Sequence, residues 1–234
     1  MTGGACGTDV NKIVSGGKDG HKLWKAATGE EELTGLSESG AITSVAYSPN
    51  GRWIVSGGDD RVVMLWDADT GDRKMTLTGH YYSVQSVAFS LDGRRIISGA
   101  GKNYHGELML WDLNEKLQIT EQSTNVNAVD FRPDGSQIAT GGWDNTVKLW
   151  DARTGSPTRT INLQGKGGDL ILDLAFSPDG RRVVTGNRDY ETRKRTVMLW
   201  DLETGLEALT LKNPPPNMCT SVDFSLDGKW IAAG

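Results

Sequence analysis

Between residues 125 and 163 the chain reads NVNAVDFRPDGSQIATGGWDNTVKLWDARTGSPTRTINL, a series of short apolar runs separated by turn pairs at Asp134-Gly135, Gly141-Gly142, Asp144-Asn145 and Thr154-Gly155. Runs this short, bounded by Gly, Asp and Asn, predict four strands in antiparallel succession, here called a, b, c and d. The same pattern slides along the whole chain. Trp24, Trp66, Trp111, Trp150 and Trp200 fall in register at spacings of 42, 45, 39 and 50 residues, and Asn50-Gly51, Asp92-Gly93, Asp134-Gly135, Asp179-Gly180 and Asp227-Gly228 recur with them. In each strand a, a large residue (Tyr47, Phe89, Phe131, Phe176) lies two positions after a Val or Leu, and the positions between are small or polar, as at Ser44, Ala46, Ser86, Ala88, Asp173 and Ala175. Alternation sends the two classes to opposite faces, and the small face suits strands that crowd toward a common axis.

Complete a-b-c-d units are expected over residues 41–77, 83–120, 125–163 and 170–211. A first unit, 11–36, begins at strand b, carries Lys25 where Asp follows Trp elsewhere, and is degenerate; a last one, 218–234, holds only strands a (219–225) and b (230–233). Residues 1–10, rich in Gly and Thr, are expected to form a loose tail.

A unit of about 40–45 residues, four strands long and closed by Trp-Asp, is a propeller-blade signature. Trp66-Asp67, Trp111-Asp112, Trp150-Asp151 and Trp200-Asp201, each preceded by Leu, resemble the WD-repeat family over nearly the whole chain. The resemblance implies an all-β fold: a β-propeller of four-stranded antiparallel blades, four of them complete, with partial blades at both termini. Two arrangements stay open, a five-bladed ring in which the C-terminal strand a completes the first unit, and a fragment of a larger, seven-bladed propeller. It also implies a protein-binding scaffold rather than an enzyme.

A net charge of −5 and a pI near 5.3 argue against a general nucleic-acid binder. Cys6 and Cys219 form no closely spaced disulfide framework, and no apolar run or signal peptide is evident, so cytoplasm or nucleus is expected. His21, His80 and His105 sit in different units without Cys at metal-ligand spacing, so no metal, cofactor or catalytic set is expected, and the alternative of a propeller lectin or enzyme finds no convergent residues.

The resemblance implies a polar network within each blade: Ser/Thr in strand b, Asp in the b–c turn, Trp in strand c and His before strand a. Ser56, Asp60 and Trp66 form one set and Thr140, Asp144 and Trp150 another, both lacking His; His80 belongs with Ser98 and Trp111, where an insertion removes the Asp; Trp200 holds the strand-c position of the last complete unit. No set is expected to be complete. Residues 138–153 further resemble the box of WD-repeat substrate receptors of cullin-RING ubiquitin ligases, with Arg153 as the adaptor contact.

Two b–c connections are enlarged: Ser98 to Trp111 spans thirteen residues and Thr185 to Trp200 fifteen, against ten in two other units. By the resemblance the b–c and d–a loops share a face, which would gather Tyr81, Tyr82, Tyr104, His105, Trp143, Tyr190, Arg193, Lys194 and Arg195 together with the NPPPN run at 213–217. Loops on a rigid scaffold concentrate binding. The expected partners are other proteins, acidic ones among them, with self-association through the end blades if the ring is open and no membrane role.

Overall fold

The computed structural model describes residues 3–6, 12–18, 20–35, 40–103, 105–113, 118–163, 169–189, 192–211 and 221–234. All regular structure among them is β, as the repeat predicts, and none of it is a helix long and apolar enough to cross a membrane. The chain divides into two compact units, 1–123 and 124–234.

The first unit holds three four-stranded antiparallel sheets. They comprise β1 (Gly3–Cys6), β2 (Lys12–Gly17), β3 (Gly20–Lys25) and β4 (Glu31–Gly35); β5 (Ile42–Tyr47), β6 (Trp53–Gly58), β7 (Val62–Asp67) and β8 (Arg73–Thr78); and β9 (Val84–Phe89), β10 (Arg95–Lys102), β11 (His105–Asp112) and β12 (Gln118–Ser123). The segment expected to be a tail therefore supplies a strand. Gly3–Cys6 pairs antiparallel with Ile13–Gly16, so the first sheet is complete and the edge of β2 that residues 219–225 would have taken in the five-bladed arrangement is already hydrogen-bonded.

The second unit holds β13 (Val126–Phe131), β14 (Gln137–Gly142), β15 (Thr146–Asp151) and β16 (Pro157–Asn162), then β17 (Asp169–Phe176), β18 (Arg182–Asp189), β19 (Arg195–Asp201) and β20 (Glu207–Leu211). A two-stranded sheet of β21 (Val222–Phe224) and β22 (Ile231–Ala233) follows.

The cores lie between neighbouring sheets. Val55, Val63 and Leu65 of the second sheet pack with Val84, Val87, Phe89 and Trp111 of the third; Ala139, Val147 and Leu149 of the fourth pack with Ile171, Leu174 and Trp200 of the fifth. Close approach fixes Gly at the strand-b position facing the next inner strand. A Cβ on Gly57 would lie 2.4 Å from Val84 Cγ1, and one on Gly141 would lie 2.6 Å from Ile171 Cγ2.

The inner strands a are also tied to one another by side chains. A bulge between Ile42 and Ser44, repeated between Val126 and Ala128, turns the extra residue sideways: Thr43 Oγ1–H donates to Val84 O at 2.5 Å and Asn127 Nδ2–H to Ile171 O at 2.7 Å. Ser44 Oγ in turn accepts Val87 N–H at 3.1 Å, and Asp173 Oδ2, one repeat position equivalent, accepts Val222 N–H at 2.8 Å. The small or polar face of strand a is thus a zipper to the next sheet.

Candidate interaction surface and the buried network beneath it

In all five four-stranded sheets the strand-c Trp indole donates to the strand-b hydroxyl: Trp24 to Ser15, Trp66 to Ser56 and Trp111 to Ser98 at 2.8 Å, Trp150 to Thr140 at 2.9 Å, and Trp200 to Thr185 at 3.0 Å. The further members differ. Asp60 accepts its own turn's Val62 N–H at 3.2 Å. Asp144 accepts the Thr146 hydroxyl at 2.8 Å and pairs with Lys148 at 2.8 Å. Burial acts to raise the Asp144 carboxyl, but the hydrogen bonds from Lys148 and Thr146 outweigh it and hold the group below the usual carboxylate range. In the fifth sheet Asn187 Nδ2 donates to Thr185 Oγ1 at 3.1 Å.

The third sheet corrects the expectation that no network is complete. His80 Nε2 lies 2.7 Å from Ser98 Oγ and Nδ1 lies 2.9 Å from Glu107 Oε2, with both His80 and Glu107 buried. Because Trp111 Nε1–H occupies Ser98 Oγ as acceptor, the Ser98 proton goes to Nε2 and the Nδ1–H proton to Glu107, a neutral imidazole with every polar atom matched. Desolvation lowers the His80 pKa although Glu107 pulls the other way, consistent with that neutral form. Glu107 supplies the carboxylate that the missing turn Asp would have supplied. Its signal was in the sequence: Trp111, Met109 and Glu107 share one face of β11, so a Glu stands inward in an apolar run. Ser, His and Glu here have the composition of a hydrolytic triad, but Ser98 is fully buried with its oxygen engaged by Trp111, so no substrate reaches it.

This network holds the surface above it. Glu107 Oε2 also accepts Tyr81 N–H at 3.0 Å, and Tyr81 projects with 77% of its surface exposed. Beside it the rings of Tyr82 and His105 stack with centroids 6.1 Å apart and planes 11° from parallel. The b–c insertion is a longer hairpin rather than a loop: Lys102 pairs with His105 across the tip, and Asn103 adopts a left-handed φ of 51°, as tight hairpin turns require.

The second unit presents its own tips. The inner strands β13 and β17 run side by side in one direction, as their side-chain bonds show, so the b–c ends of both sheets lie at the same end. Trp143 is half-buried, its N–H bonded to Asn125 O at 3.1 Å. Here too the insertion lengthens the ladder: Arg195 belongs to β19 and stands directly opposite Arg188, while Arg193 (φ 61°) and Lys194 are exposed in the turn. Tyr104, Tyr190 and the run at 213–217 lie outside the described residues. Arg153 sits exposed in the c–d turn of the fourth sheet, its N–H bonded to Asp151 at 3.0 Å.

Two inner-strand carboxylates have no precedent in the first unit. Asp130 Oδ2 accepts Phe176 N–H at 2.8 Å, as Asp173 does for Val222. Desolvation raises Asp130 to about 7 and Asp173 to about 6, and the nearby Asp223 charge adds to both. Among the described residues no group of His, Cys, Asp and Glu is arranged to hold a metal ion.

Four segments, 31–67, 71–112, 114–151 and 155–201, match the family described as WD domain, G-beta repeat. A guanine nucleotide-binding protein subunit beta of Zea mays is 32% identical over 101 residues, 41% of this chain and 25% of that protein. THO complex subunit 3 of Arabidopsis thaliana is 40% identical over 52 residues, 22% of this chain and 15% of that protein. Protein tipD of Dictyostelium discoideum is 29% identical over 232 residues, which is 96% of this chain but 36% of that protein. The chain thus spans well under half the length of these relatives.

Proposed function

Since the chain belongs to the WD-repeat family, with repeats matched from residue 31 to 201, we propose that it is a non-catalytic scaffold for protein–protein interaction whose partner docks on the b–c and d–a tips. The observation that carries this reading is Tyr81, a large, exposed aromatic on a loop whose backbone is fastened to a buried carboxylate. A fixed Tyr contributes apolar area and a hydroxyl at low entropic cost, the properties of an interface hot spot. In the second unit, Arg188 and Arg195 stand opposite each other across a strand pair and place basic side chains at the tip, which favours an acidic partner.

The test is site-specific photocrosslinking. A photoreactive amino acid at Tyr81 or Lys194 is expected to trap a partner that the same probe at Arg94, in an a–b turn, does not. Crosslinks from position 94 alone would overturn the choice of surface.

A further inference from the structure

The a–b and c–d turns of the second unit, at the opposite end of the sheets from the proposed docking tips, enclose a groove of about 590 Å³ between the fourth and fifth sheets. That size suits a ligand side chain with its neighbours. Four guanidinium groups line it: Arg132, Arg159, Arg181 and Arg182.

Two of these arginines break the pattern of the repeat. At the head of the a–b turn the second, third and fifth sheets and the terminal two-stranded sheet place a Ser (Ser48, Ser90, Ser177 and Ser225) whose hydroxyl accepts the backbone N–H five residues on. The fourth sheet has Arg132 there instead, bonded through Nη1 to Gln137 Oε1 at 3.2 Å. On strand d, the residue opposite the Leu that precedes the repeat Trp is Leu33, Met75, Ile119 and Leu209 in four sheets but Arg159 in the fourth. Both substitutions exchange a residue that serves the blade for a cation that faces the same groove. Departures from an otherwise consistent local rule mark functional positions.

The turn glycines of the fifth sheet, which recur with left-handed φ in the other units, leave room for both side chains. A Cβ on Gly180 would lie 2.8 Å from Arg132 Nε, and one on Gly205 would lie 2.8 Å from Arg159 Nη2; both glycines have left-handed φ, 66° and 74°. Arg159 Nη1 donates to Leu202 O and, at 3.0 Å, to Glu203 O, which fixes the guanidinium against the turn. Arg132 Nε is buried without a hydrogen bond, 3.5 Å from Asp134 Oδ2, and the charges of Arg181 and Arg182 act on the neighbouring Asp179 and Asp201. The groove therefore holds prearranged donors with capacity to spare.

We propose that this groove binds a phosphoserine- or phosphothreonine-bearing segment of a partner protein, with basic residues flanking the phosphate. Guanidinium forks match the oxygens of a phosphate monoester, which favours this group over a single carboxylate. Asp179, Asp201 and Glu203 line the same groove and repel an extended polyanion, while they complement basic residues on either side of one isolated dianion. That mixture argues against nucleic acid.

Fluorescence anisotropy with a labelled peptide, Gly-Arg-Gly-phosphoSer-Gly-Arg-Gly, tests the assignment alongside its unphosphorylated twin and a labelled oligothymidylate. The phosphopeptide is expected to bind at least tenfold more tightly than the other two. The exposed pair Arg181→Gln/Arg182→Gln should lose that advantage tenfold or more, Arg132→Gln should lose it with the fold intact by circular dichroism, and Arg153→Gln should change nothing. Equal binding of the phosphorylated and unphosphorylated peptides, retention of binding in the double variant, or tighter binding of oligothymidylate would each overturn it. Because none of these residues lies on the b–c or d–a tips, failure here leaves the docking surface at Tyr81 standing.

Discussion

Glu107 accepts two protons' worth of hydrogen bonding in the interior of the third sheet, from His80 Nδ1 and from Tyr81 N–H. Truncation to Ala strands both donors, and leaving buried donors unmatched costs about 1–3 kcal/mol apiece. Glu107→Ala is therefore expected to destabilise the first unit by ~2–4 kcal/mol in urea unfolding, whereas Glu107→Gln, which keeps an acceptor for one donor, should lose less. Equal losses for the two variants would mean that packing, not hydrogen bonding, sets the effect. The Trp-to-hydroxyl pairs at the heart of each sheet were legible in the sequence because strands b and c keep one register. Glu107 was not, because the three-residue insertion erases the turn position where a carboxylate is sought, and only the phase counted back from Trp111 reveals it. Arg132 and Arg159 were legible as letters but not as a groove, since their meeting depends on how two sheets pack.

At the scale of the element, the inner strands of the second unit carry a carboxylate where the first unit has Ala46 or Ser44, and the chemistry of the zipper changes with it. Asp130 and Asp173 each accept a neighbouring strand's N–H, yet burial raises both, to about 7 and about 6. A carboxyl whose folded pKa is raised contributes fully below its unfolded value and loses that contribution as pH rises through the folded value. The second unit should therefore weaken progressively from about pH 4, the unfolded value, to about pH 7, the higher of the two folded values, by several kcal/mol at about 1.36 kcal/mol per pKa unit. Asp130→Asn keeps an acceptor for Phe176 N–H and removes the charge, so it should be neutral near pH 4 and increasingly stabilising up to pH 8. A variant that is less stable than the parent at pH 8 would show that the charged form is the one the fold prefers. The strand pattern itself was read correctly for β5 to β20. β1 was missed because Gly3–Cys6 shows no apolar alternation, and its pairing is dictated by the free edge of β2 rather than by its own residues.

For the molecule as a whole, the two units respond to pH in opposite directions. His80, in the first unit, has a folded pKa below its ordinary value of 6.5 because it is desolvated, so the stability it contributes is complete above that value and is lost as pH falls toward the folded one. In the second unit, Asp130 and Asp173 act the other way, costing stability as pH rises from about 4 to the folded values of about 6 and about 7. The many turn carboxylates with lowered values, such as Asp92 and Asp179, stay ionised from pH 5 to pH 8 and do not disturb the comparison. Hydrogen exchange read by mass spectrometry, corrected for the intrinsic rate at each pH, should find peptides around Trp66 and Trp111 opening first at pH 5 and peptides around Trp150 and Trp200 opening first at pH 8. Substituting Asp130 and Asp173 together by Asn should abolish the reversal while leaving the acid sensitivity of the first unit unchanged. Exchange that rises and falls in parallel across both units at every pH would show that they unfold as one cooperative body and that these buried groups do not set the order of opening.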